Sequence, residues 1–260
     1  MAPERPPLFR PGSDIMNPII DLIKSHRSIR KFTDRAVDSG TLAAIIAAAQ
    51  CAATSHFVQA YTIIRVEDDH KRQVIAQLAG PQVWVARAPV FLVFCADFNR
   101  LVAACDRHEA TAETGWAEQF VTATVDAALL AQNVILAAES LGMGGVFIGG
   151  IRNDPQTVCD LLEIPGQAYP VFGMCLGWPA HDPPPKPRLP LEAVLFTDGY
   201  PQSHDQRLLA EYDRTINHYY RSRDSNLKDD TWTRQMADFM GKVIRPHMKA
   251  FLEKKGFFLK

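Results

Sequence analysis

The chain has 260 residues, with 28 Lys and Arg against 29 Asp and Glu, a formal net charge of −1. Apolar residues make up 47% and charged residues 22%, which excludes a collagen-like, disordered or disulfide-scaffold protein. The balanced charge argues against nucleic acid as the main partner, because such proteins carry a strong basic excess.

Residues 1–16 hold Pro3, Pro6, Pro7 and Pro11 and no apolar h-region, so they are expected to form a disordered tail and not a secretory signal. Asn17-Pro18 combines an N-cap with proline at the first helical position and predicts a helix to about Ser25. A second helix is expected over 39–53, with Leu42, Ile45, Ile46 and Ala49 on one face. Strands are expected at 61–67 and 89–96, with a helix over 69–79 between them. Residues 118–141 carry Phe120, Thr124, Ala127, Ala131, Val134, Ala138 and Leu141 as one stripe, widened by Val121, Ala128 and Ile135. That pattern predicts the central helix of the domain, closed by Gly142. Its Asp126, Gln132, Asn133 and Glu139 argue against a membrane span.

A strand or glycine-bounded loop follows at 144–151, then a short helix opened by Asp154-Pro155, then a strand over 169–178. Prolines at 179, 183, 184, 185 and 187 exclude regular structure there. Residues 204–260 are expected to be mostly helical, with a break at Pro246 and a net charge of 12 − 8 = +4. Residues 17–260 are taken as a single domain with this helical region at its end.

Cys51, Cys95, Cys105, Cys159 and Cys175 are odd in number, widely spaced and free of any CxxC, which fits a reducing cytoplasm better than a zinc site or disulfide framework. There is no HxH, HExxH or GxSxG, so neither a metal site nor a nucleophile elbow is expected. No glycine-rich turn follows the first strand, and Gly142-x-Gly144 follows a helix with Phe147 at the third position. A dinucleotide-binding Rossmann unit is therefore rejected.

Four clusters remain. His26-Arg27-Ser28-Ile29-Arg30 places two guanidiniums and a hydroxyl where a phosphate could bind, although a basic helix C-terminus gives the same spacing. Lys186-Pro187-Arg188 offers two cations on a rigid loop, or a solvated one. Ile148-Gly149-Gly150 permits close approach of a planar ligand, or a tight turn. Thr54-Ser55-His56-Phe57-Val58-Gln59 mixes hydroxyls, an aromatic wall and an amide. Neither His26 nor His56 has a visible orienting partner in the sequence.

The segments HRSIRKFTD, ATSHFVQ, FCADFNR, AQNVILAAESLGMGGVFIGGIRND, FGMCLGWPA and KPRLP occur in this order from about Met16 to the C-terminus. In this they resemble the oxygen-insensitive NADPH nitroreductases and NADPH–flavin reductases. The resemblance implies an α+β nitroreductase fold, a mainly antiparallel central sheet surrounded by helices, in an intertwined homodimer with interfacial FMN. It implies that His26, Arg27, Ser28 and Arg30 hold the FMN phosphate and ribityl chain, completed by Lys186 and Arg188. Gln82 would reach the flavin ring edge, and Ile148, Gly149 and Gly150 would lie against the ring. Thr54 and Ser55 would line the site from this chain or its partner, with His56 and Phe57 on the substrate side. His56 replaces a residue that is commonly small and hydroxyl-bearing, and its imidazole would narrow the acceptor pocket or stack on aromatic substrates.

The implied activity is ping-pong, two-electron reduction of nitroaromatics and quinones by NADPH through FMN. Arg223, Lys228 and Arg245 stand at the positions expected to hold the NADPH 2′-phosphate; where Lys228 stands the family more often has arginine. The alternatives are a flavin reductase that releases reduced FMN, and a flavin-binding redox sensor without turnover.

Overall fold

The structure is a computed structural model describing residues 17–201, 205–223 and 226–260. The tail expected at 1–16 lies outside the described residues. In chain order, helices α1 (Pro18–Lys24) and α2 (Ser39–Ala49) precede a 3-10 turn (Ser55–Phe57) and strand β1 (Tyr61–Arg65). Then come α3 (Asp69–Leu78), α4 (Val83–Arg87), β2 (Val90–Asp97), α5 (Asn99–Arg107) and α6 (Ala117–Ser140). Strand β3 (Gly144–Ile148) runs into a 3-10 turn (Gly149–Asn153), followed by α7 (Pro155–Leu162) and β4 (Ala168–Gly177). A 3-10 turn (Leu191–Ala193) and helices α8 (Gln206–Arg221), α9 (Trp232–Met240) and α10 (Met248–Lys254) complete the chain.

The strands form one antiparallel sheet in the order β1-β2-β4-β3. This is the expected α+β architecture. β2 is buried at every position, which is why its sequence is a continuous apolar run and not an alternation. A register shift between Phe94 and Cys95 kinks its pairing with β4.

α6 lies against this sheet and α2. Its buried face is Ala123, Ala127, Leu130, Ala131, Val134, Ile135 and Ala138, all at 0% exposure, together with Asp126. The alanines let neighbouring backbones approach, while each buried Leu, Ile or Val contributes about 1.5–3 kcal/mol. The stripe differs from expectation at its edges. Leu141 is the C-cap, 49% exposed, and Val121 and Ala128 face outward. Gly142, at φ +79, ends the helix in the left-handed region that glycine adopts without strain. Among the described residues α6 alone is long and apolar enough to cross a membrane, but here it is the core helix.

Two short helices went unread in the sequence, α4 and α5. α4 is held by Arg72 of α3, a buried guanidinium whose Nε and Nη2 donate to the Val85 carbonyl at 3.1 and 2.9 Å and which also donates to Ala88. Burial pulls its pKa down from the usual arginine value, yet these acceptors satisfy it. The clamp fixes the second half of α4 and its C-cap, Ala88.

The C-terminus closes over α6 and β4. Phe120 stacks on Tyr169 at 5.7 Å, Phe257 meets Tyr169 edge-on at 5.4 Å, and Leu259 N–H donates to Gly115. α8 packs apart from the main core, around Tyr212, Ile216 and Tyr220. All five cysteines are free. Burial pushes the Cys95 and Cys175 thiols up, and that of Cys159 to about 11, so these three are apolar packing groups and not nucleophiles.

Candidate cofactor and acceptor site

The segment after α1 is threaded between β3 and the chain leaving β4. Ser28 bridges Gly145, and Ile29 N–H donates to the Gly145 carbonyl at 2.9 Å. On the other side Thr33 N–H donates to Trp178, and Ala180 N–H to Lys31, at 2.9 and 3.0 Å. Asp182 then ion-pairs with Arg27. HRSIR is thereby tied to the start of the proline-rich loop, and Lys186 and Arg188 follow within a few residues.

The individual cations are used differently. Arg27 is engaged by Asp182 and the Ser25 carbonyl, so its first role is to anchor the loop. His26 does have an orienting partner: its Nδ1 lies 2.6 Å from Glu139 Oε1 near the end of α6. That leaves Nε2 as the ring atom available to a ligand. Among the described residues no carboxylate pairs with Arg30, Lys186 or Arg188. Arg30 lies over the Trp84 ring at 5.9 Å, Lys186 Nζ donates to Tyr220 Oη at 2.9 Å, and Arg188 donates to the Lys186 carbonyl at 2.8 Å. Un-neutralised cations beside fixed backbone are the donor set a phosphate monoester requires.

Gln82 precedes α4. Its Nε2 donates to the Ala79 carbonyl at 2.7 Å, and its Oε1 accepts from Trp84 Nε1 at 3.1 Å. The same Ala79 oxygen would lie 2.2 Å from a Cβ at position 150, so glycine there is demanded by backbone contact. Ile148 is fully buried, leaving only its backbone to a ligand, whereas Gly149 is half-buried and meets nothing closer than the Arg152 side chain at 3.3 Å. Gly150→Ala is therefore expected to lower stability by about 1–3 kcal/mol and to displace Gln82. Gly149→Ala should fold normally. Thermal melts of the two variants check this, and equal melting temperatures would remove the close approach as the reason for glycine at 150.

The 54–60 loop stands on Asp126. That carboxylate, 1% exposed, accepts from Ser55 N–H and Ala60 N–H, both at 3.1 Å. The loop is strained: His56, Phe57 and Gln59 have φ of 46°, 59° and 52°. Thr54 Oγ1 is buried with no hydrogen-bond partner among the described residues, a polar atom open to a ligand or neighbouring molecule. Phe57 is 81% exposed. His56 and Phe57 border a cavity of about 850 Å³ with Gln50, Gln59, Tyr61, Thr62 and Arg100. None of His26, Arg27, Arg30, Lys186 and Arg188 lines it, so the two sets of candidate residues occupy separate places on one chain.

Among the C-terminal cations, Arg223 and Lys228 come together on Tyr220, at 4.7 and 5.8 Å from its ring. Burial opposes ionisation of this phenol. The hydrogen bonds with Lys186 and Gln235 and the nearby ammonium charges outweigh it and hold the pKa below the ordinary value. Lys228 also lines a cleft of about 280 Å³ with Arg221, Leu227 and Asp229. Arg245 sits elsewhere, its Nε donating to Asn153 Oδ1 at 3.0 Å. Sequence reasoning missed Trp84, Asp182 and Tyr220, and read Asp126 and Glu139 only as charges unsuited to lipid.

The chain was compared with known proteins. The model of the nitroreductase family matches residues 23–178, and that of the nitroreductase family C-terminal domain matches residues 186–260. A Salmonella typhimurium protein named oxygen-insensitive NADPH nitroreductase is 46% identical over 242 residues, 93% of this chain and 99% of that protein. A Bacillus subtilis protein named FMN reductase (NADPH) is 38% identical over 253 residues, 93% of this chain and 99% of that one. The solved structure of NADPH:FMN oxidoreductase from Vibrio harveyi, complexed with NAD+, superposes with a TM-score of 0.86 at 37% identity, covering 94% of this chain and all of that one. With its antiparallel sheet, core helix and both family segments in place, the chain belongs to the nitroreductase family.

Proposed function

We infer that the protein is an NADPH-dependent FMN oxidoreductase whose acceptors are flat electrophiles, nitroaromatics and quinones. The observation that carries this reading is the clamp of HRSIR onto the proline-rich loop, beside which Arg30, Lys186 and Arg188 have no carboxylate partner among the described residues. This donor set fits the phosphate of FMN, and the orphaned Thr54 Oγ1 fits a further polar contact. When bound, FMN takes hydride from NADPH and delivers electrons in pairs.

The chain's own residues position and select. His26, with Glu139 on its Nδ1, Ser28 and Arg30 hold the phosphate end, with Lys186 and Arg188 beside them. Gln82 addresses the ring edge, and the backbone of Ile148, Gly149 and Gly150 admits a planar ring. Arg223 and Lys228, gathered on Tyr220, take the 2′-phosphate of NADPH; Arg245, held on Asn153 apart from them, is the weaker candidate for that contact. His56 and Phe57 bound the acceptor cavity. If donor and acceptor use one ring face in turn, the kinetics are ping-pong.

The working unit is a homodimer, with residues 17–260 acting as one FMN-binding domain. Val121, Val125 and Leu129 of α6, spaced i, i+4, i+8, are 50%, 48% and 43% exposed. Ile19 and Ile23 of α1 and Leu191, Val194 and Leu195 after the proline-rich loop are also exposed. Apolar surface of this extent needs a cover, and a second copy would also bring Thr54 and Ser55 to the site. Free thiols and NADPH use fit a cytoplasmic enzyme.

Anaerobic NADPH should bleach the visible absorbance of the FMN-reconstituted protein, and a nitroarene or quinone should restore it. A flavin that binds and stays oxidised would leave a non-catalytic sensor, and absence of flavin binding would return the cations to structural roles. Arg223→Ala is expected to raise the KM for NADPH about tenfold or more, the loss of one charge-assisted contact, with FMN occupancy unchanged. A loss of FMN occupancy with unaltered KM would place the nucleotide elsewhere.

A further inference from the structure

Trp84 is half-buried in the first turn of α4, and it joins two residues of the proposed flavin site that are far apart in sequence. Its indole Nε1–H donates to Gln82 Oε1 at 3.1 Å, and the Arg30 guanidinium lies 5.9 Å from its ring centroid. Gln82 Nε2 in turn donates to the Ala79 carbonyl at 2.7 Å.

The chemistry of these partners fixes the amide. An indole nitrogen can only donate, and a peptide carbonyl can only accept. Turning the Gln82 amide over would set N–H against N–H and oxygen against oxygen, losing both bonds. Held this way, Nε2 keeps a second N–H and Oε1 a second lone pair for a ligand. The anchor is closely packed, since a Cβ at position 150 would lie 2.2 Å from the Ala79 carbonyl oxygen.

We propose that Trp84 is a positioning residue of the FMN site: its indole N–H sets which end of the Gln82 amide donates, and its ring seats Arg30. The proposal rests on the reading of Gln82 and Arg30 as FMN-binding residues. Trp84 acts through them and needs no contact with the cofactor.

The test compares W84F, W84H and Q82L in the full chain by FMN titration of the apoprotein, flavin visible spectrum and flavin midpoint potential. W84F removes the N–H and keeps an aromatic ring. It is expected to raise the FMN Kd about three- to tenfold, the worth of one neutral hydrogen bond, and to move the spectrum and potential toward those of Q82L. W84H retains a ring N–H and should recover much of that loss. W84F with native Kd, spectrum and potential, beside an altered Q82L, would overturn the role of Trp84 and leave the site standing. Equal impairment of W84F and W84H would assign Trp84 to packing and overturn it too. A Q82L variant that changes nothing would remove Gln82 from the site, and the proposal with it. If W84F does not fold, the indole N–H resonance of Trp84, identified by its loss in W84H, serves instead. It should move on FMN addition and in Q82L, and indifference to both would overturn the proposal.

Discussion

Replacing Asp126 by alanine is expected to lower the melting temperature by about 5–15 °C and to raise the KM for a quinone severalfold, with FMN affinity far less affected. Asp126 is the polar residue on the buried face of α6, and both its oxygens are used, on Ser55 N–H and Ala60 N–H. Alanine leaves those donors without a partner. Ala60 is fully buried, so water cannot easily take over. A buried donor left unpaired costs about 1–3 kcal/mol, which puts the pair at about 2–6 kcal/mol before the loop's strain is counted. His56, Phe57 and Gln59 all hold left-handed backbone between the two anchor points, a conformation that persists only where its surroundings impose it. Once the anchors are gone the loop relaxes, and the cavity wall formed by His56 and Phe57 moves with it.

Asparagine at 126 separates the two effects. One amide oxygen can still accept, but its NH2 group must face the other backbone N–H. Asp126→Asn should fall between the parent and the alanine variant in stability while keeping most of the KM change. An alanine variant as stable as the parent, with the parent's quinone KM, would show that the loop holds its shape without this carboxylate.

The contrast between α6 and α5 shows which parts of the fold the sequence made legible. α6 is 24 residues long with its apolar residues in register, so periodicity alone finds it. Asn17-Pro18 and Asp154-Pro155 mark two helix starts because a cap is a local interaction within three residues. α5 begins directly after β2 with the apolar Phe98 in the N-cap position; the local bond at this turn, Asn99 N–H to Asp97 Oδ1, comes from the last residue of the strand and does not read as a helix cap. In the site, the residue types were legible and their pairings were not. His26–Glu139 spans 113 positions and Arg27–Asp182 spans 155. Such pairs exist only after β3 and β4 have brought the ends together, and no spacing rule encodes them. Asp126 did leave a trace, a carboxylate in an alanine-rich stripe, but the sequence offers nothing that connects it to the amides of a loop 66 to 71 residues away.

Replacing Arg30 by alanine is expected to weaken FMN binding by roughly ten- to a hundredfold, the loss of a charge-assisted contact worth about 1.5–3 kcal/mol, while the fold is kept. Arg30 and Arg27 are three residues apart in one motif, yet the structure separates their roles. Arg27 is engaged by Asp182 and the Ser25 carbonyl, so Arg27→Ala is expected to free the proline-rich loop and to act on FMN indirectly, through the proposed contacts of Lys186 and Arg188. Arg30 is exposed, and among the described residues its guanidinium makes no ion pair and rests on Trp84. It is the cation with least to lose by turning to a phosphate. Lysine at 30 keeps the charge without the planar fork and should give an intermediate affinity. Salt provides an independent check: raising ionic strength screens an exposed cation–phosphate contact, so FMN affinity should fall with salt in the parent and fall less in Arg30→Ala. Equal salt dependence in the two proteins, or unchanged flavin content in the variant, would show that Arg30 does not hold the phosphate, and would leave His26, Lys186 and Arg188 to account for it.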